Sequence, residues 1–248
     1  MSTLTTHLCA LLILLSLATG CDNSESPEPG APPSETPSTR CPNEEELRAD
    51  RSARRGVLRG DVTGDGIADE VFVAVDEGAE IGCRALLFVS SDEGTGAASL
   101  DVEDTDLGLG LPALMGLKQI DDEGGSDVIV DLAAGASTLF AGVFVFAEGG
   151  LEQVRIEASQ PPAENLFAHG GGVAQLSAVG CAADGGVLIS TAVAETRRYR
   201  VDRHTYEFDE TVLTRNRVRD ETERMRLERI PRVLPEFAGP PFSNCPDE

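Results

Sequence analysis

Asp61-Val62-Thr63-Gly64-Asp65-Gly66-Ile67-Ala68-Asp69 runs almost directly into Val71-Phe72-Val73-Ala74-Val75. The first stretch is a loop with side-chain oxygens at alternate positions. The second is β-branched and aromatic, the composition of a strand. The same succession returns in Gln119-Ile120-Asp121-Asp122-Glu123-Gly124-Gly125-Ser126-Asp127, followed by Val128-Ile129-Val130. Oxygen-bearing side chains recur at the third, fifth and ninth positions, and glycine at the sixth. A third copy, Ala178 to Gly186, has no carboxylate at those positions, yet Val187-Leu188-Ile189 follows it in step. The ninth positions, Asp69, Asp127 and Gly186, lie 58 and 59 residues apart. A further strand-like run follows each first one at a similar offset: Ala85 to Val89, Val143 to Phe146 and Tyr199 to Val201. Self-similarity at a fixed period marks a repeat architecture. The expected fold is mainly β, with three degenerate repeats of about 58 residues (60–117, 118–176, 177–215) and short flanking helices.

The first loop suits a hard cation. Calcium takes about six to eight oxygen ligands at flexible angles, which alternate side chains and a backbone carbonyl can supply. Asp61, Thr63, Asp65 and Asp69 offer side-chain oxygens and Ile67 its carbonyl. Gly64 and Gly66 permit the tight turn. An EF-hand would need glutamate at the twelfth position and a following helix, but Phe72 and a strand stand there. The second loop is a weaker site, with Asp121, Glu123 and Asp127. Asp-x-Thr-Gly-Asp-Gly-x-x-Asp followed by Val-Phe-Val, in repeats near sixty residues, resembles the FG-GAP or VCBS repeat of integrin alpha chains and bacterial surface proteins. The resemblance covers roughly residues 60–210 and is carried by the first repeat. It implies four-stranded propeller blades with calcium in the loop between two strands. Three copies are fewer than the four or more blades that close a ring, so the expectation is an incomplete β-propeller or a compact β-domain. Gly135-Ala136-Ser137 comes nearest to the family's Gly-Ala-Pro signature.

Leu8 to Thr19 is an apolar run too short to span a bilayer and reads as the core of a signal peptide over residues 1–20. Leu17-Ala18-Thr19-Gly20-Cys21 resembles the lipobox of bacterial lipoproteins, although only His7 stands where basic residues usually precede the apolar run. That resemblance implies cleavage before Cys21 and its acylation. Asp22 to Arg40 carries no large apolar side chain and reads as a disordered Pro/Ser/Glu-rich tether within residues 21–42. A chain of this length and composition reaches roughly 25 to 60 Å. Residues 43–248 form the expected single β-domain with a C-terminal extension. The expected location is exported and lipid-anchored to the bacterial envelope, on its periplasmic or cell-surface side.

Formal charge is -23, which repels nucleic acid and excludes it as a partner. The expected partners are the membrane, through the anchor, and a protein or glycan at the cell surface. Charge is uneven: residues 60–160 hold 21 acids and 3 bases, whereas residues 196–232 hold 11 arginines and 8 acids. With Cys9 lost and Cys21 acylated, Cys41, Cys83, Cys181 and Cys245 remain, an even set that permits three pairings in an oxidising compartment. The pairing expected is Cys83 with Cys181 and Cys41 with Cys245, the latter clipping the ends of the domain together. Asn43-Glu44-Glu45-Glu46 reads as a helix start, Asp220 to Ile230 as a short charged helix, and Pro231 to Pro246 as an extended surface segment.

Catalysis has little support. There is no Gly-x-Ser-x-Gly elbow, and His169 with Ser137 or Thr138 is a combination resting on presence alone. The expectation is therefore a non-catalytic binding or scaffolding lipoprotein with structural calcium, with a secreted hydrolase as the alternative.

Overall fold

The computed structural model describes residues 41–247, apart from 93, 122, 148 and 158–163. The expected signal peptide, Cys21 and all of the tether but its last two residues lie outside the described residues. In chain order the elements are α1 (Glu44–Ala49), β1 (Arg54–Gly60), β2 (Asp69–Val75), β3 (Ala85–Ser91), β4 (Gly94–Leu100) and α2 (Asp104–Gly108). There follow β5 (Ala113–Lys118), β6 (Asp127–Ala134), β7 (Thr138–Ala147), β8 (Gly150–Gln153), β9 (Arg155–Ile156) and β10 (Phe167–Gly171). The chain ends with β11 (Gln175–Cys181), β12 (Val187–Glu195), β13 (Arg198–Asp209), β14 (Val212–Met225) and α3 (Ile230–Val233), with 3-10 turns on either side of α3. The protein is mainly β, as the sequence predicts.

Two sheets result. The first has the order β1-β2-β3-β4, an antiparallel meander. The second has ten strands and contains two further four-stranded meanders, β5-β6-β7-β8 and β11-β12-β13-β14. Strand β10 joins them by pairing with both β7 and β11. The ten residues of β7 serve two neighbours, residues 138–141 facing β10 and residues 144–147 facing β8. Each meander begins with a strand, an Asp- or Gly-bearing loop and a second strand, which is the sequence period made visible.

Side-chain alternation then decides the packing. In β2, Val71, Val73 and Val75 enter one core with Val128, Val130, Leu132, Phe144 and Leu151 of the second meander. Phe72 and Ala74, on the other face, enter a second core under α1 with Leu47, Leu86 and Phe88. Phe72 stacks on Phe88 at 5.1 Å between ring centroids, and the Arg54 guanidinium lies 3.9 Å above Phe72. The second meander is likewise covered twice. Ile129, Val143 and Val145 leave its opposite face to meet Val179, Val187 and Leu213 of the third. Continuous apolar runs are what strands buried on both faces require.

Three expectations need correction. The disulfides are Cys41–Cys83 and Cys181–Cys245, with Cα separations of 5.4 and 5.0 Å, in place of Cys83–Cys181 and Cys41–Cys245. Cys83 and Cys181 belong to the first and third meanders, and the second lies between these. Each real bridge ties a chain border to its nearest meander. They span 42 and 64 residues, for which loop-closure entropy gives roughly 4 kcal/mol each. Asp220 to Ile230 is not a helix: β14 continues to Met225 because β13 offers a pairing partner, with Arg203 opposite Glu221 and Tyr199 opposite Met225. A short helix forms only at Ile230–Val233. The tail from Pro231 is not an extended surface strip either. Phe242 is fully buried edge-on against Phe167, 5.4 Å between centroids, and the Asn244 side chain bonds the backbone N–H and carbonyl of Cys181. The expected start of α1 holds, with Asn43 Oδ1 accepting from the N–H groups of Glu45 and Glu46.

Peptide mapping of the unreduced protein is expected to recover Cys41 linked to Cys83 and Cys181 linked to Cys245; a Cys83–Cys181 peptide would overturn the pairing. Replacing Cys181 and Cys245 together by alanine is expected to cost about 2 to 5 kcal/mol of stability in denaturant unfolding.

Candidate functional site

The first Asp loop joins β1 to β2 and is organised by its own carboxylates. Asp61 Oδ1 accepts from the N–H of Gly64 (2.7 Å) and Asp65 (3.1 Å), and its Oδ2 from the N–H of Gly66 (2.7 Å). Asp65 Oδ1 accepts from the Ile67 N–H at 2.7 Å. Asp69, 2 % exposed, accepts from the N–H groups of Val62 and Thr63 through Oδ2, both at 2.9 Å. Side chains thus take the donors that a tight loop strands away from any ladder. Gly64 and Gly66 have φ of 77° and 82°, the left-handed values the sequence predicts.

The second loop, between β5 and β6, repeats the central device. Asp127 Oδ2 accepts from the Ile120 N–H at 2.8 Å, the same seven-residue offset that links Asp69 to Val62. Asp121 Oδ1 accepts from the Glu123 N–H at 2.9 Å. In the third copy, between β11 and β12, backbone alone closes the turn, the Ala182 N–H bonding the Gly186 carbonyl at 2.9 Å.

Tertiary structure adds that the first two loops touch. The Ser126 N–H donates to the Asp61 carbonyl at 2.7 Å. A Cβ on Gly64 would come within 2.7 Å of the Gly124 carbonyl oxygen, and one on Gly125 within 2.6 Å of the Val62 carbonyl oxygen. Two glycines therefore let two backbones meet with no side chain between them. At this seam Asp69 Oδ1, Thr63 Oγ1 and Ser126 Oγ are buried without a hydrogen-bond partner among the described residues. No group of three or more His, Cys, Asp or Glu side chains that would hold a metal ion gathers among the described residues. A cation at the first loop must therefore draw on Thr63 and backbone carbonyls as well as on carboxylates.

Beside the second loop opens a cavity of about 510 Å³ lined by Asp121, Glu123, Asp127, Glu152 and Glu210 against one base, Arg155. Burial, and after it the Asp121 carboxylate, push Asp127 up from 3.8 to about 8, against the hydrogen bonds it accepts from Ile120 and Asp121.

His169 is placed by β10 and buried, with Nε2 2.7 Å from Oδ1 of the equally buried Asp131 on β6. The sequence offered many carboxylates and no means of choosing this one. Ser137 lies alongside Gly172 and is not hydrogen-bonded to His169; Thr138 is opposite Gly170 in the β7–β10 ladder. His204 on β13 meets Asp220 at 3.1 Å, half-buried by the hairpin.

Gly64→Ala and Gly66→Ala separate two causes, since both residues have positive φ but a Cβ at Gly66 meets nothing within 4 Å. Gly66→Ala is expected to cost about 1 kcal/mol from backbone strain alone, and Gly64→Ala about 1 to 3 kcal/mol more as the two loops are forced apart, read as shifts in thermal melting. The shift at Asp127 makes a second prediction for calcium-free buffer. Below about pH 4 its carboxyl is protonated in both folded and unfolded chains and its contribution is complete. As pH rises from 4 toward 8 the unfolded chain releases this proton first, so stability falls by at most about 1.4 kcal/mol per unit and levels off above pH 8. Asp127→Asn is expected to flatten this decline in urea unfolding at about pH 5 and pH 8.

No protein-family model, curated protein or solved structure matches the chain. Its function is read from this geometry and from the residues themselves.

Proposed function

We propose that the protein is a lipoprotein of the bacterial envelope with a non-catalytic binding or scaffolding role, in which calcium stabilises propeller-like repeats. The observation that carries this reading is the recurrence of one device at equivalent places. Asp69 and Asp127, each the last residue of a loop between the first two strands of a meander, accept from the N–H seven residues earlier. Three consecutive four-stranded meanders packed through alternate faces support an incomplete propeller of three blades. The FG-GAP or VCBS resemblance rests on the same loop residues.

The fit of calcium rests on the orphaned oxygens. Asp69 Oδ1 and Thr63 Oγ1 are buried without partners among the described residues, and such atoms cost about 1 to 3 kcal/mol each unless a donor or cation satisfies them. Asp61, Thr63, Asp65, Asp69 and the Ile67 carbonyl would hold the ion, with Asp121, Glu123 and Asp127 as a weaker second set. Bound there, calcium would supply the positive charge that the carboxylates of the seam lack.

Two bridges tying the chain borders to the meanders suit an oxidising compartment, and no helix among the described residues is long and apolar enough to cross a membrane. Anchoring is assigned to Cys21, which lies outside the described residues. The acidic body leaves a cell-surface protein or glycan as partner, with nucleic acid disfavoured. A hydrolase is the weaker reading, since the carboxylate-bound His169 has no hydroxyl hydrogen-bonded to it.

A cation bound only by the folded state must raise its stability. Millimolar calcium is expected to raise the melting temperature above that in chelator, and Asp65→Ala to remove most of the difference; identical melting in both buffers would overturn the calcium assignment. Metabolic labelling with a palmitate analogue is expected to mark the protein and to be lost in Cys21→Ser.

A further inference from the structure

A second cavity, of about 180 Å³, lies between β10, β11 and the turn at Pro235–Phe237, and no residue of either Asp loop lines it. Its volume is close to the roughly 150 Å³ that accommodates a benzene ring in an apolar core. Part of the wall is apolar, from Leu176, Val179, Phe237 and Pro241. Three side chains bring polar atoms: His169, Ser177 and Glu236.

Glu236 is 1 % exposed. Its Oε1 is occupied, accepting from Ser190 Oγ at 2.9 Å and Arg203 Nε at 3.0 Å. Its Oε2 is buried with no hydrogen-bond partner among the described residues. A carboxylate oxygen so placed calls for a donor. His169 has its Nε2 2.7 Å from Asp131. An ionised carboxylate only accepts, so Nε2 carries the proton in the neutral ring and Nδ1 is left as an acceptor. Ser177, 9 % exposed, adds a hydroxyl oxygen.

The charge balance points the same way. No Lys or Arg lines the cavity. Arg203, the base nearest Glu236, also serves Glu221 at 2.5 Å. Asp131 stands behind His169 as a further acid. The surroundings favour a positively charged guest and oppose an anion. A bare metal ion is poorly served, because no group of three His, Cys, Asp or Glu gathers here among the described residues. An ammonium group suits the walls better, since it has three N–H donors and no acceptor, and three acceptors face one small space beside apolar surface.

We propose that this cavity binds a small protonated primary amine. Its N–H donors go to Glu236 Oε2, His169 Nδ1 and the Ser177 hydroxyl, and its short apolar body lies against Leu176, Val179, Phe237 and Pro241. The site extends the binding reading above and is independent of calcium, so the two fail separately.

The test is isothermal titration of the full chain, in buffer containing calcium, with isobutylamine, isobutanol, isobutyrate and zinc chloride in turn. Isobutylamine is expected to bind saturably with one site per chain, the alcohol and the acid not measurably. Glu236→Gln keeps the shape and is expected to weaken binding at least about tenfold, the loss of one charge-assisted hydrogen bond. Should that variant melt early, Ser177→Val decides. It keeps the side chain small in a strand position and is expected to weaken binding about threefold or more while leaving melting near that of the parent. Absence of amine binding, equal binding of the alcohol, a response to zinc alone, or full affinity in a folded Ser177→Val protein would each overturn the proposal. Calcium-insensitive melting with intact amine binding would sink the calcium loop and leave this site standing.

Discussion

A strand that is apolar on both faces has to be covered twice, and the arrangement of this protein follows from that requirement. Val71-Phe72-Val73-Ala74-Val75 and Val128-Ile129-Val130 each send alternate side chains to opposite sides. At about 25 cal/mol per Å² of apolar surface, leaving one face of such a strand in water would forfeit several kcal/mol. The first meander meets this need with α1 on its outer face and the second meander on its inner one. The second meander is enclosed by the first and third. Only the third has a face left over, which Ile230 and Leu234 cover together with Ala192, Tyr199 and Val201. The C-terminal segment thus completes a core, and this explains why Phe242 and Cys245 are buried when their proline-rich surroundings suggest a surface strip.

Covering one meander with another brings their first loops together. The close approach of Gly64 to Gly124 and of Gly125 to Val62 would be impossible with a side chain at either glycine. The Asp loops therefore do two jobs that the sequence shows as one. Their carboxylates gather backbone N–H groups within each loop, and their glycines let the seam between meanders close. Concentrating acids at a seam has an electrostatic cost, visible in the raised Asp127 and in the five carboxylates lining the neighbouring cavity. A bound cation would offset it.

Some features were legible in the chain because they depend on near neighbours alone. The apolar runs, the loop glycines at positive φ, the Asn43 cap and the period of the repeats are set by residues within a few positions of one another, where steric and hydrogen-bonding rules act locally. Other features depended on partners far along the chain. Asp220 to Met225 carries a charge pattern that suits a helix, and pairing with β13 overrode it. Cysteine count announced two bridges but not their partners, since connectivity depends on which segments the packing brings within about 6 Å. His169 was visible and Asp131 was not, because a single histidine among so many acids has no sequence mark for the one that will face it.

By itself, then, the sequence determined a mainly β protein of repeated hairpins, the residues of the two Asp loops and their internal turns. Tertiary structure alone decided which cysteines pair, that the two loops touch through Gly64 and Gly125, where the tail is buried, and that His169, Ser177 and Glu236 line one cavity. The division has a physical basis. Backbone conformation answers to forces between adjacent residues, whereas sites and cross-links answer to the covering of apolar faces, which is settled between segments many tens of residues apart.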